Sequence, residues 1–203
     1  METKIAAIVE GHGEVEAVPI LIRRIAREID PGFVPHVLRP IRVPASRLIK
    51  NGELERAIEL AYRKLEGQGG IVVIMDCDWE GCCPKIEGPI MLRRALRKRG
   101  DIPIRVILAK KEFETWFIAA AISLRGKRGL NRNLENIAQP EDIRDAKGWL
   151  SSRMPSGVSY SETADQPALA DVFNMDEARR SNSFDKCYRD IRMLLEHVRR
   201  VDS

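Results

Sequence analysis

The chain has 203 residues, with 34 lysines and arginines, 30 aspartates and glutamates, and a formal net charge of +4. A hydrophobic fraction of 44% and a charged fraction of 32% exclude a disordered chain, and the length is sufficient for a substantial core. No apolar run approaches the ~20 residues of a membrane span, so we expect a cytoplasmic protein without membrane contact. The positive charge forms no basic tail or arm and is only a weak indication of a phosphate-containing partner.

Strand-like and helix-like segments alternate over the first 124 residues. Apolar runs predict strands at 4–9, 33–43, 71–75 and 103–109. Three prolines in 33–43 and just after it favour an edge position for that strand. Helical periodicity follows each strand, with the helices expected near 18–29, 54–65, 89–99 and 112–124. This order predicts an α/β fold, a mostly parallel sheet flanked by helices, whose ligands bind beyond the carboxyl ends of the strands.

The last third of the chain has a different pattern. We expect residues 1–124 to form the α/β domain and residues 125–203 to form a helical extension packed on it. Within the extension, 141–154 is expected to be helical and 154–160 to be a loop. The apolar spacing between Phe184 and Val198 predicts a long amphipathic helix, with Ser183 as its N-cap.

The four cysteines do not form the pattern of a disulfide-rich secreted protein. Cys77, Cys82 and Cys83 are close in sequence, but their spacing lacks the paired C-x-x-C units of structural zinc sites. We therefore expect reduced, structural cysteines, Cys187 included.

Acidic residues follow three of the predicted strands. Glu10 comes after the first strand, and Asp76 and Asp78 come after the central one, where alternation in an extended backbone would point both side chains to one face. Glu112 and Glu114 follow the last strand. The repulsion between clustered carboxylates is costly unless a cation or a proton offsets it. Because Mg²⁺ binds one or two carboxylates and keeps several waters, the pattern predicts a Mg²⁺ or Mn²⁺ site at this sheet edge.

The segment after the first strand contains two glycines around a histidine. Gly11 and Gly13 allow a sharp turn before a helix whose N-terminus could bind phosphate oxygens, although the spacing matches neither a P-loop nor a dinucleotide fingerprint. His12 is either a proton carrier or a solvent-facing loop residue. Glu14 is either a second acidic ligand or a residue suited to the helix N-terminus.

The order of these motifs resembles the Toprim fold of topoisomerases, bacterial primases and nucleases of the overcoming-lysogenization-defect (OLD) type. The resemblance rests on Glu10-Gly-x-x-Glu14 after a first strand and Asp76-x-Asp78 after a later one. More closely, the chain resembles an uncharacterised prokaryotic Toprim-like family that is often encoded beside an ABC-type ATPase. That wider pattern runs through Arg42-Val-Pro, Glu112-x-Glu114-x-Trp116-Phe117, Asp145-Ala-Lys147-x-Trp149-Leu150 and Tyr160-x-x-Thr163-x-Asp165-Gln166.

The resemblance implies a Mg²⁺-dependent phosphodiesterase or nuclease that serves in phage defence, with nucleic acid as its substrate. Metal ligands would be Glu10, Asp76, Asp78, Glu112 and Glu114, with Glu10, Glu14 and Lys111 as catalytic groups. Phosphate contacts are expected from Gly11, Gly13, Lys110, Lys147, Arg179 and Arg180. The arginines are equally compatible with surface positions flanking a capped helix.

Two alternatives use the same residues. One is a non-catalytic Toprim-like module that works with a separately encoded ABC-type ATPase and exposes an apolar patch. The other is phosphotransfer onto Asp76, but the Asp-x-Asp pair of dehalogenase-type enzymes follows the first strand rather than a later one. Topoisomerase and primase activities are disfavoured, because the chain lacks a clearly placed nucleophilic tyrosine and a zinc or helicase-binding domain.

Overall fold

A parallel β-sheet forms the centre of the computed structural model, which describes residues 3–201. Its strands are β1 (Lys4–Val9), β2 (His36–Val37), β3 (Ile41–Arg42), β4 (Gly70–Cys77) and β5 (Ile104–Lys110). The order is β2-β1-β4-β5, with β3 also paired to β1, and the pairings between these strands are parallel. The predicted α/β fold class and the edge position of the proline-rich segment are confirmed.

Helices cover this sheet and build the rest of the chain. The first four are α1 (Glu14–Ile29), α2 (Ala45–Leu48), α3 (Glu53–Lys64) and α4 (Pro84–Lys98). The later ones are α5 (Thr115–Ala119), α6 (Ala146–Ser151), α7 (Glu162–Val172), α8 (Met175–Ala178) and α9 (Asn182–Val201). No helix within residues 3–201 combines the length and apolar character needed to cross a membrane.

Both faces of the sheet are buried, because successive side chains of a strand point in opposite directions. In β1, Ile5, Ala7 and Val9 join a cluster that includes apolar residues of α1, α5, α7 and α9. Ala6 and Ile8 join a second cluster with residues of α3 and α4. Residues from the expected extension therefore share one core with the sheet. The outer limits predicted for the two parts, residues 1 and 203, lie outside the described residues.

Several predicted boundaries are wrong, for local reasons. The edge segment 33–43 forms two strands of two residues each instead of one strand. Helix α4 begins at Pro84 and not near 89, since proline is well suited to the first helical turn. The helix predicted at 112–124 is shorter, and a 3₁₀ turn at Ala121–Leu124 follows α5.

The last third differs more from the prediction. A 3₁₀ turn at Pro140–Asp142 and the short helix α6 replace the helix predicted at 141–154. Helix α7 is not predicted, because Pro167 and a weak amphipathic pattern obscure it. The predicted N-cap of α9 is also wrong: the Ser181 hydroxyl accepts a hydrogen bond from the Phe184 amide at 3.3 Å, whereas the Ser183 hydroxyl accepts one from Trp116 Nε1.

The prediction of reduced cysteines is wrong for one pair. Cys77, the last residue of β4, forms a disulfide with Cys82, with the two Cα atoms 5.6 Å apart. Cys83 and Cys187 are free thiols. The disulfide closes a short loop that contains Asp78, immediately beside the carboxyl end of the central strand.

Candidate functional site

The carboxyl ends of β1, β4 and β5 are joined by direct hydrogen bonds. The chain leaves β1 towards one edge of the sheet and leaves β4 towards the other, so the gap between these neighbouring strands is a topological switch point. The Asp76 amide donates to Glu10 Oε2 at 3.1 Å, and the Phe113 amide donates to Asp76 Oδ1 at 2.8 Å. Glu10 and Asp76, predicted from two strand ends, are thus brought together.

Glu14 turns back from the first turn of α1 onto the loop before it. Its Oε2 accepts hydrogen bonds from the Glu10 amide at 2.8 Å and from the Gly11 amide at 2.9 Å. Burial raises the pKa of Glu14 to about 7, against the opposing effect of the two amides and with a further increase from the charges of Glu10 and Glu114. Glu14 therefore exchanges a proton near neutral pH.

Asp76 and Glu10 differ in their exposure to solvent. Burial raises the pKa of Asp76 well above its ordinary value, and the charges of Glu14 and Glu114 raise it further. Burial also raises the pKa of the half-buried Glu10, while the Asp76 amide opposes this effect. Glu10 is therefore the member of the pair that solvent or a substrate reaches.

Glu114 contributes a buried carboxylate from the segment after β5. Its Oε1 accepts hydrogen bonds from the Tyr160 hydroxyl at 2.9 Å and from Gln166 Nε2 at 3.2 Å. Burial raises its pKa to about 7, although the charge of Lys147 opposes this. The second oxygen, Oε2, has no hydrogen-bond partner within residues 3–201.

Glu112 lies two residues earlier and is half-buried. Its Oε1 accepts a hydrogen bond from the Ala146 amide at 3.2 Å, and its Oε2 has no such partner in the described part of the chain. Burial raises the pKa of Glu112. Both predicted glutamates after β5 thus keep one buried oxygen that has no hydrogen-bond partner within the described residues.

Lys147 is the basic residue that lies against these carboxylates. Its Nζ is 3.9 Å from Glu114 Oε2 and 3.5 Å from Glu162 Oε2. Burial lowers the pKa of Lys147, but the charges of Glu114 and Asp76 outweigh that effect, and the net shift is upward. Lys147 is therefore a permanent positive charge at neutral pH.

Helix α7 supplies residues to the site that the sequence pattern does not predict. Glu162 Oε1 accepts a hydrogen bond from the Gly13 amide at 3.3 Å, and Gln166 bonds to Glu114. Ser161 followed by acidic Glu162 and Asp165 is a helix-start pattern that could have revealed this helix. Tyr160 and Gln166 belong to the wider resemblance, whereas Glu162 is not predicted as a site residue.

The glycine loop packs closely against α7. A methyl group added at Gly13 would lie 2.2 Å from Gln166 Oε1 and 2.3 Å from the carbonyl oxygen of Glu162. The amides of Gly11 and Gly13 already donate to the carboxylates of Glu14 and Glu162, so a phosphate would have to displace them. His12 is exposed.

Three further predicted residues lie outside the buried group. Asp78 follows the end of β4 and is exposed, so it does not share the position of Asp76, but its charge helps to raise the pKa of Glu10. Lys110 Nζ lies 3.7 Å from Glu141 Oε2. Lys111 is half-buried and has a φ of 72°, in the left-handed region.

The two predicted arginines bind to other parts of the helical region. Arg179 donates to Asp185 Oδ1 at 2.8 Å, with its guanidinium group 4.7 Å from the ring centre of Tyr188. Arg180 donates to the carbonyl oxygens of Ala119 and Glu177. The structure therefore does not bring either arginine into the acidic group.

The acidic group, defined as Glu10, Glu14, Asp76, Glu112 and Glu114, has the donor chemistry of a Mg²⁺ site. Within residues 3–201 no three His, Cys, Asp or Glu side chains stand in an arrangement that could hold a metal by themselves. Mg²⁺, however, is usually bound through one or two carboxylates, with water and substrate completing the shell. The unpaired oxygens of Glu112 and Glu114 fit such a partly hydrated ion.

The chain matches one family model among known protein families. The family model described as "Domain of unknown function (DUF4276)" matches residues 9–192, which is most of the chain, and the chain therefore belongs to this family. No curated protein matches the chain. No solved structure matches it either.

Proposed function

We propose that this member of the DUF4276 family is a Mg²⁺-dependent phosphodiesterase that acts on nucleic acid. The observation that carries the proposal is the meeting of the Glu10, Glu14, Asp76 and Glu114 carboxyl groups at the topological switch point, with their pKa values raised. Such an arrangement costs free energy unless it serves a cation or a proton transfer.

The ion would take one or two ligands from Glu10, Asp76, Glu112 and Glu114, with water and substrate completing its shell. Asp78 lies nearer to solvent. When bound, Mg²⁺ supplies charge stabilisation for a phosphoryl oxygen and lowers the pKa of a bound water. Glu10 is half-buried and can accept a proton from water, while its contact with the Asp76 amide fixes its orientation. Lys147, which lies beside Glu114, and Lys111, which follows β5, are the candidates for contacts with the phosphate.

The experiment compares wild type, Asp76→Asn and Asp101→Asn on plasmid DNA, single-stranded DNA and RNA, with Mg²⁺ or Mn²⁺. Asparagine keeps an oxygen that can accept from the Phe113 amide, while it removes the charge and replaces the second oxygen with an NH2 group. Asp101 lies on the surface, with a side chain 52% exposed, and serves as the matched control. We expect cleavage by wild type and Asp101→Asn alone; equal cleavage by wild type and Asp76→Asn would refute this site.

A second candidate function is a non-catalytic module that docks on a partner protein, such as a separately encoded ABC-type ATPase. The observation in its favour is a set of exposed apolar side chains on α3 and α4, namely Leu60, Ile86, Ile90 and Leu96, at 38–60% exposure. This surface also carries Arg93 and Arg97. Absence of cleavage with every substrate and both metals would favour this candidate over the first.

A further inference from the structure

Lys147 occupies a central position in the electrostatics of the acidic group. Its ammonium group lies near Glu114 and Glu162, and its charge also opposes the rise in the pKa of Glu10, Asp76 and Glu112. The residue comes from α6, whereas most of the carboxylates lie at or just after the carboxyl ends of β1, β4 and β5. The positive charge of a single side chain on α6 thus interacts with most of the carboxylates of the acidic group.

An independent observation concerns the oxygen that Lys147 faces. Glu114 is 0% exposed, and its Oε2 makes no hydrogen bond within the described residues. The 3.9 Å between this oxygen and Lys147 Nζ is too long for a hydrogen bond. A buried carboxylate oxygen without a hydrogen bond lowers the stability of the folded protein, and a cation bound closer to that oxygen would offset this loss of free energy.

The ammonium group can move without disturbing the backbone of α6. The Asp145 side chain caps this helix by accepting from the Gly148 amide at 2.7 Å, and the Ser151 hydroxyl donates to the Lys147 carbonyl oxygen. The Lys147 side chain is 41% exposed, so its flexible four-carbon stem has an open path to solvent.

We infer that Lys147 is a tethered counter-cation of the acidic group, which competes with a divalent cation for the carboxylate of Glu114. The inference rests on the proposed function, because it assigns to the same site a device that controls metal binding. Two positive charges a few ångströms apart repel each other, so the bound ion displaces the ammonium group towards solvent.

The test is Mn²⁺ binding by isothermal titration calorimetry to wild type, Lys147→Gln and Lys64→Gln. Lys64 is an exposed residue at the end of α3 and controls for the loss of a lysine charge. We expect Lys147→Gln to bind Mn²⁺ at least about tenfold more tightly than wild type, with Lys64→Gln unchanged. Equal or weaker binding by Lys147→Gln would overturn the competition while leaving the metal site standing.

No binding of Mn²⁺ by any of the three proteins would overturn the metal site and the proposed function together.

Thermal unfolding in EDTA provides a readout that does not depend on metal. We expect Lys147→Gln to unfold at a lower temperature than wild type, and the double variant with Glu114→Gln to recover most of the loss. An unchanged unfolding temperature in Lys147→Gln would show that the ammonium group does not stabilise the carboxylates.

Discussion

The Tyr160 hydroxyl donates a hydrogen bond to Glu114 Oε1 over 2.9 Å, which joins the segment before α7 to the segment after β5. The two residues are separated by 46 positions in the chain. Because Glu114 is fully buried, its carboxyl group depends for hydrogen bonds on this contact and on Gln166, with Lys147 as a nearby charge. The helical region therefore completes the acidic group as well as covering the sheet.

The first prediction concerns the pH dependence of stability. The pKa of Glu14 is raised to about 7 from an ordinary value of 4.5, so the folded state binds more protons than the unfolded state between these values. Stability should therefore fall as the pH rises from about 4.5 to about 7, with Glu14 contributing roughly 1–3 kcal/mol. Glu14→Gln should flatten this slope and be the more stable protein at pH 8.

Urea unfolding of Glu14→Gln at several pH values measures this effect. Glutamine retains an oxygen that can accept from the amides of Glu10 and Gly11. Glu16→Gln, an exposed residue in the same turn of α1, is the control and should keep the wild-type slope. Parallel slopes for wild type and Glu14→Gln would contradict the prediction.

The second prediction concerns the packing of the glycine loop against α7. Gly13→Ala should lower the free energy of unfolding by about 1–3 kcal/mol, because the new methyl group would overlap the Glu162 carbonyl oxygen. Gly88→Ala is the control: it lies within α4, where an added methyl group meets no atom within 4 Å. That change should stabilise the protein by about 0.5–1 kcal/mol. Equal effects of the two changes in urea unfolding would contradict this account of Gly13.

The third prediction separates the backbone of Lys111 from its charge. At a φ of 72°, glycine is less strained than alanine, so Lys111→Gly should be more stable than Lys111→Ala by about 1 kcal/mol. Both changes remove the ammonium group, and both should reduce any phosphodiesterase activity by the same factor. Unfolding curves and initial rates measured on the same preparations would test the two parts. A more stable alanine variant would rule out strain at this position.

The fourth prediction concerns the Cys77–Cys82 disulfide. Denatured, unreduced protein should show two reactive thiols, from Cys83 and Cys187, and reduced protein should show four. Cys82→Ser should lower the free energy of unfolding by about 2 kcal/mol, the loop-closure value for a short loop. Cys83→Ser is the matched control and should have a smaller effect. Four reactive thiols in protein purified without reductant would contradict the pairing.

Short sequence patterns were sufficient to predict much of the fold and part of the candidate site. Buried apolar runs followed by Glu10 and Asp76 indicated both the parallel strands and the acidic residues at their ends, because strand periodicity and the convergence of parallel strands follow from backbone geometry. The Asp-x-Asp spacing was less informative. The strand ends at Cys77, so the alternation that would have placed Asp78 beside Asp76 is lost.

The chain's own residue pattern thus determined a parallel α/β sheet with acidic strand ends, since these depend on periodicity within a few residues. Tertiary structure alone decided which groups share the site. Glu162 reaches the Gly13 amide across 149 positions, and Lys147 reaches Glu114 from a different helix. These pairs are set by how α6 and α7 pack on the sheet, and burial then raises the pKa of Glu14 and Glu114 to about 7. Desolvation depends on the whole surrounding fold, which no short stretch of sequence encodes.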